Sequence, residues 1–246
     1  MEKLTPRAVI FDLGSTLIEY ESLAWTELMY KAYSSVWSYL KKQGYDVPEE
    51  EAFKGLFDEL KADYRKNAND TLVEWTVPQV VRKLIKKLEI QSDNGNLVDK
   101  MFEAYYKPVE KQLYVYDDTV ATLEKIKEKG LVMGLISNTI FPEETHLKEI
   151  KKFGIEPYLD FTIFSSTFGV RKPHPDIFYK AANLAGYAPS ECVYIGDRYR
   201  EDYEGPTAIN MPAVLKVHPD REYPEDMPES VRKINKLGEI FTHLDI

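Results

Sequence analysis

Four short segments of this 246-residue chain carry acids, bases and small residues where a β-strand should end: VIFDLGSTL (9–17), LISNT (135–139), GVRKPHPDIF (169–178) and VYIGDRYREDYEG (193–205). Asp12 follows an apolar run and precedes a glycine-containing turn. Its carboxylate can be presented to a ligand, with the Leu13 and Gly14 backbone N–H groups able to bind anionic oxygens. Ser137 and Asn138 close a second apolar run, and a serine hydroxyl among backbone N–H groups can hold a phosphoryl oxygen. Lys172 stands between Arg171 and Pro173, where proline restricts the backbone and aims the side chain. A lysine charge there would offset the repulsion between a carboxylate nucleophile and a phosphate. Asp197 follows Gly196 at the end of a third apolar run, and Asp202 comes five residues later. With Asp12 they make an oxygen-rich set suited to Mg²⁺, which takes few protein carboxylates and keeps several waters. Taken singly, each segment also has an ordinary reading: a capping aspartate, a Ser-Asn turn, a surface lysine, two unrelated surface acids. Taken together and in this order, they describe a site where an aspartate attacks phosphorus with a metal ion's help.

The elements that must position these residues are legible from periodicity. Arg7–Phe11 predicts a short buried strand. From about 20 to 114 the pattern is helical, with Leu28, Tyr33, Val36, Trp37 and Leu40 at three- and four-residue spacing. Pro48 and Glu49–Glu51 mark the first turn of a second helix, continued by Phe53, Leu56, Phe57, Leu60 and Tyr64. Two further helices are expected at 76–89 and 95–113, separated by an SDNG turn at 92–95. The pattern then changes. Asp117 and Asp118 offer a helix cap, Gly130 a helix end, and Leu131–Ile136 a continuous apolar strand. Further strand–helix units are expected at 158–164 and 176–185, and at 192–195 and about 202–209. A strand at 212–217, a surface loop at 219–231, and a last strand and helix at 232–245 complete the chain. Strands alternating with helices predict a parallel sheet covered on both faces. About 95 helical residues interrupt it after its first strand.

Composition bounds the function. Lys+Arg 32 against Asp+Glu 41 gives a net charge of −9, which argues against nucleic acid or anionic lipid as partners. A local phosphate site remains compatible with an acidic protein, because a metal ion or a helix N-terminus supplies positive potential. No apolar run is long enough for a membrane span, and the sequence from Met1 shows no signal-peptide pattern, so a cytoplasmic protein is expected. Cys192 is the single cysteine, which fits a reducing compartment. A monomer or small homo-oligomer is expected. The four histidines, at 146, 174, 218 and 243, show no metal-ligand spacing. Trp25, Tyr30, Tyr33, Trp37 and Trp75 read as core of the helical insert.

In these motifs the sequence resembles the haloacid dehalogenase-like (HAD) hydrolase superfamily, over nearly the whole chain. The resemblance implies an α/β fold: a doubly wound parallel-sheet, Rossmann-like core over residues 1–18 and 115–246, with an inserted helical cap over 19–114. It implies Asp12 as the nucleophile that becomes an aspartyl phosphate, with Thr16 bracing its loop. Leu13, Gly14, Ser137 and Asn138 would hold the phosphoryl group of a small phosphorylated molecule, and Lys172 would neutralise the nucleophile. Mg²⁺ would be held by Asp12, the Gly14 carbonyl and Asp197, with Asp202 completing the acidic shell.

One position departs from the family pattern. Family phosphatases carry a second aspartate two residues after the nucleophile, where this chain has Gly14. That aspartate protonates the leaving group and then activates water, help typically worth roughly 10²–10⁴-fold. Glu19 and Glu21, just past the turn, are expected to be solvated loop acids, although they are the nearest replacements. A Mg²⁺-dependent phosphatase is therefore the leading expectation, with slow or leaving-group-restricted turnover. A 2-haloacid dehalogenase, in which Asp12 attacks carbon, fits less well. Family dehalogenases have tyrosine at the Gly14 place and lack the acid at Asp197. A phosphonatase would need a cap lysine, for which Lys54 is the candidate. A non-catalytic phosphate-binding protein is the alternative of another class.

Overall fold

A computed structural model describes residues 2–20, 23–91 and 96–246. The expected turn at 92–95, and Glu21, lie outside the described residues. The chain opens with strands β1 (Ala8–Phe11) and β2 (Ile18–Glu19), followed by helices α1 (Trp25–Lys42), α2 (Glu50–Thr71), α3 (Val77–Lys87) and α4 (Leu97–Glu110). Next come β3 (Tyr114–Val115), α5 (Thr119–Glu128), β4 (Val132–Ser137), α6 (Glu143–Lys152), β5 (Phe161–Phe164), the short α7 (Ser165–Phe168) and α8 (Pro175–Ala185). The chain ends with β6 (Cys192–Gly196), a π-helical turn (Tyr199–Glu204), the short α9 (Gly205–Thr207), β7 (Ala213–Lys216), β8 (Arg232–Ile234) and a 3₁₀ helix (Leu237–Thr242). It divides into two compact units, Met1–Glu19 with Tyr114–Ile246, and Tyr20–Leu113.

The first unit is built on a parallel sheet of six strands in the order β5-β4-β1-β6-β7-β8. The strands β1 and β6 are buried throughout, as the middle of a sheet covered on both faces requires. From β1 the chain proceeds to β4 and β5 on one side and returns to β6 and β7 on the other. The carboxyl ends of β4, β1 and β6 therefore flank a topological switch point, where α/β sheets bind ligands. Phe11 lies level with Leu135 and Ile195, which sets Asp12 beside the ends of both neighbours.

The second unit is helical. α1 packs on α4 and α2, and α3 closes against α2 and α4. Its core repeats at helical spacing: Leu28, Tyr33, Val36 and Leu40 on α1, Phe53 and Phe57 on α2, Met101 and Tyr105 on α4. Tyr33 stacks on Phe57 with ring centroids 4.6 Å apart. Of the aromatics expected in this core, Tyr33 and Trp75 are buried, Trp25 and Trp37 are half-buried, and Tyr30 is exposed. No helix among the described residues is long and apolar enough to cross a membrane.

The departures from the expected elements have local causes. The helix α6 carries only two aliphatic residues, Leu147 and Ile150, so it has no apolar stripe to read; tertiary contacts hold it instead. The ribbon of β2 and β3 pairs only Ile18 with Val115 and Glu19 with Tyr114, too short for a period. The helix expected at about 202–209 opens as the π-helical turn, and the last helix is 3₁₀. Asp118 occupies the N-cap position of α5, but its carboxylate accepts the Gly238 N–H at 2.8 Å, a partner 120 residues away.

Candidate active site

Asp12 is the first residue after β1, and its N–H donates to the Ile195 carbonyl of β6 at 2.8 Å. The turn behind it is tight: Leu17 and Ile18 N–H groups return to the Leu13 carbonyl, and Ser15 takes a left-handed φ of 56°. A left-handed non-glycine residue is costly and tends to occur where a loop is held for a purpose. Leu13 and Thr16 are fully buried, and the Thr16 hydroxyl has no hydrogen-bond partner among the described residues.

Lys172 lies in the segment leading into α8 and is buried. Its ammonium donates to Asp12 Oδ1 at 2.7 Å, to Asp202 Oδ1 at 2.6 Å and to the Tyr194 hydroxyl at 2.7 Å. All three of its protons are thus used, and Tyr194 in turn donates to the Ile136 carbonyl at 3.2 Å. Burial lowers the Lys172 ammonium, but Asp12 and Asp202 outweigh it and leave the group above its ordinary value. Asp202 sits on the π-helical turn. Its second oxygen accepts the N–H groups of Asp197 at 3.1 Å and Arg198 at 2.9 Å. Gly196 makes this approach possible: a Cβ there would stand 2.4 Å from the Asp202 carboxyl carbon.

Asp12, Asp197 and Asp202 each offer an oxygen, and these lie within 4.8 Å of one another. Burial raises the Asp12 carboxyl to about 7 against the pull of Lys172, and Asp202 and Asp197 add to the rise. Burial likewise raises Asp197 to about 6, with Asp202 adding and Arg221 opposing. Such a crowd of buried hard oxygens fits a small divalent cation, which would relieve their mutual repulsion. Lys172 takes Asp12 Oδ1 and Arg221 takes Asp197 Oδ2, so the other oxygen of each is the one available to a cation. Both oxygens of Asp202 already accept protein donors, which makes it a brace for Lys172 and for the strand end.

Ser137 closes β4, is buried, and stands beside the end of β1 through the parallel register. The Asn138 side chain does not point out as a free donor. Its Oδ1 accepts the Lys172 N–H at 2.7 Å and its Nδ2 donates to the Lys172 carbonyl at 2.9 Å.

Several site residues escaped sequence reading. Arg221 donates from Nε to Asp197 Oδ2 at 2.7 Å and from a terminal nitrogen to Ser15 Oγ at 3.2 Å. The Tyr223 hydroxyl donates to the Asp197 carbonyl at 2.9 Å. Both lie in the loop after β7, where a Pro- and acid-rich composition gives no sign of a structural role. Glu19 overturns its expectation as a solvated acid. It is buried, with Ser15 donating to one oxygen at 3.3 Å, His218 meeting the other at 3.0 Å, and Tyr116 donating to that same oxygen. The β2–β3 ribbon draws it inward, a pairing invisible in local sequence. Both carboxylate oxygens are thus engaged by Ser15, Tyr116 and His218. Lys54 pairs with Glu50 at 3.0 Å and Glu51 at 2.8 Å, which hold its ammonium charged and argue against an amine nucleophile there. Cys192 is buried in β6, and burial pushes its thiol up to about 11.

A sequence profile described as haloacid dehalogenase-like hydrolase matches residues 6–210. The glyceraldehyde 3-phosphate phosphatase of Methanopyrus kandleri is 26% identical over 208 residues, covering 85% of this chain and 82% of its own. Among solved structures, the 2-haloacid dehalogenase of Pseudomonas syringae pv. tomato superposes with a TM-score of 0.73 at 21% identity, over 97% of each chain. A HAD phosphatase from Thermococcus onnurineus superposes at 0.65 with 25% identity, covering 98% of this chain and all of that one.

Proposed function

Because the chain belongs to the haloacid dehalogenase-like hydrolases, we propose that it is a phosphatase of small phosphorylated molecules, acting through an aspartyl phosphate on Asp12. The observation that carries this reading is the Lys172 ammonium, buried and shared by Asp12 and Asp202 with Asp197 alongside. An Asp12 oxygen forms a bond to phosphorus as the ester P–O bond breaks, and the departing alkoxide takes its proton from solvent water. Water then attacks phosphorus and releases Asp12. Lys172 keeps Asp12 oriented and offsets the charge gathered when a phosphate dianion approaches a carboxylate. Ser137 and the Leu13 and Gly14 N–H groups are the donors for the phosphoryl oxygens. Asp12, Asp197 and the Gly14 carbonyl would hold Mg²⁺, which supplies Lewis-acid stabilisation of phosphoryl charge when bound. Gly14 has no carboxyl to protonate the leaving group, so substrates with good leaving groups are favoured.

The relatives named for glyceraldehyde 3-phosphate support a small phosphorylated substrate. A 2-haloacid dehalogenase is the second reading, favoured by the overall superposition alone; Asp197 and its supporting Arg221 have no part in that chemistry. A cytoplasmic protein, as a monomer or small homo-oligomer, completes the proposal. The test is a panel of phosphate esters assayed with Mg²⁺ and with excess chelator, on wild type and on Asp12→Asn. The expected result is metal-dependent phosphate release that disappears in Asp12→Asn. Release by that variant at the wild-type rate would remove Asp12 as nucleophile, and chloride release from 2-chloropropionate in chelator would favour the dehalogenase.

A further inference from the structure

A buried hydroxyl–imidazole–carboxylate chain stands behind the Ser137–Asn138 loop and takes no part in the reaction as described. Thr139 Oγ1 lies 2.6 Å from His146 Nε2, and His146 Nδ1 lies 2.6 Å from Glu149 Oε2. All three are buried, and His146 and Glu149 project from α6 at i and i+3 on one face. One proton must lie in each of these two bonds, so both ring nitrogens are committed. The ring is also held flat against Phe164, with centroids 5.2 Å apart and planes 17° from parallel. Ser165 fixes the backbone of the same residue: its hydroxyl accepts the Thr139 N–H at 2.8 Å and donates to the Thr139 carbonyl at 3.3 Å. Thr139 is thus pinned through side chain and main chain, and the Phe141 N–H adds a second bond to its hydroxyl at 3.0 Å.

The next residue back is Asn138, which grips the Lys172 main chain in both directions. A path therefore runs by hydrogen bonds from Glu149 through His146 to Thr139, by the peptide bond to Asn138, by hydrogen bonds to the Lys172 main chain, and through its side chain to Asp12. We propose that Thr139, His146 and Glu149 are positioning residues for the reaction, setting through Asn138 where the Lys172 ammonium stands between Asp12 and Asp202. A core needing only to be filled would take an aliphatic residue at position 146 more cheaply. Burying three polar side chains is costly unless each is satisfied, and here the satisfied groups converge on one residue of the catalytic loop. The proposal rests on the phosphatase reading for its kinetic test and on geometry alone for a second test.

The variants are Thr139→Val, which keeps the shape and removes the hydroxyl, Glu149→Gln, and Thr139→Ser as the conservative rescue. The kinetic probe is Mg²⁺-supported hydrolysis of p-nitrophenyl phosphate, with melting temperature recorded for each variant. Thr139→Val and Glu149→Gln should lower kcat by about 10- to 10²-fold at little-changed KM, the usual effect of loosening a group that orients a reacting one. Thr139→Ser should recover most of kcat. A melting temperature that falls while kcat per folded molecule stays at the wild-type value would overturn the proposal and leave a purely structural network. The second measurement is the Lys172 ammonium signal in ¹⁵N-lysine NMR, assigned with Lys172→Arg. Its proton exchange should quicken by about 10-fold in Thr139→Val and Glu149→Gln. Should Thr139→Val not fold, Glu149→Gln decides both readings. An inactive wild type would reject the phosphatase reading, and the ammonium exchange would still decide the positioning role.

Discussion

Burial and neighbouring carboxylates raise the Asp12 and Asp197 carboxyls, to about 7 and about 6, so protons compete with a cation for these oxygens. A cation must displace those protons. Mg²⁺ affinity should therefore rise as pH increases from 6 to 8, with proton release on binding. Calorimetry in buffers of different ionisation enthalpy measures both, and a pH-independent affinity would oppose the cation site. Arg221 holds Asp197 down, so Arg221→Gln should move the same curve to higher pH, by up to about one unit or 1.4 kcal/mol. In the proposed reaction, Gly14 would govern the leaving group. Turnover should fall steeply as leaving-group pKa rises, and Gly14→Asp should speed alkyl phosphates by up to about 10²–10⁴-fold if the loop seats the new side chain. A wild type that cleaves alkyl and aryl phosphates equally fast, with chemistry limiting, would show that another residue donates the proton.

At the scale of elements, the join between β6 and the π-helical turn matters most. The turn brings Asp202 back onto Gly196 so closely that no side chain fits at 196. Gly196→Ala should push Asp202 away and cost about 1–3 kcal/mol of stability from overpacking. It should also free one of the two carboxylates that hold Lys172. Chemical denaturation gives the first quantity, and kcat per folded molecule gives the second. An alanine variant of wild-type stability and rate would mean that Asp202 has room to move. π-helical turns recur at functional sites, and here such a turn carries the buried Asp202.

For the whole molecule, the β2–β3 ribbon is the point at which the helical unit enters and leaves the chain. Glu19 pairs directly with Tyr114, so residues 20–113 span two ends that already meet. Replacing them with Asn-Gly should close an ordinary two-residue hairpin and leave the first unit folded. Circular dichroism and cooperative melting would check this. Mg²⁺ affinity within about 10-fold of the full chain is expected, since the proposed ligands lie in that unit. A shortened chain that aggregates or melts without cooperativity would show that the sheet unit depends on the helical one.

Residue order and type made much of this protein readable. Continuous apolar runs identify the strands β1, β4 and β6, since a strand covered on both faces must be apolar at every position. Helical spacing identifies the inserted unit. Asp12, Lys172 and Asp197 are legible because each sits at the end of such a run or beside a backbone-restricting residue, and Asp202 because it follows Asp197 by five residues, where a helix is expected. What local sequence cannot carry is partnership across distance. Arg221 meets Asp197 from 24 residues away, and Glu19 meets His218 from 199 away, each within an unremarkable loop or edge. His146 and Glu149 stand in a helix with no apolar stripe, and Asn138 spends its amide on the Lys172 backbone rather than on a ligand. Hydrophobic period reports burial of an element. Only the folded sheet, by setting strand ends side by side, decides which charges face each other, and with that the raised carboxyl of Asp12.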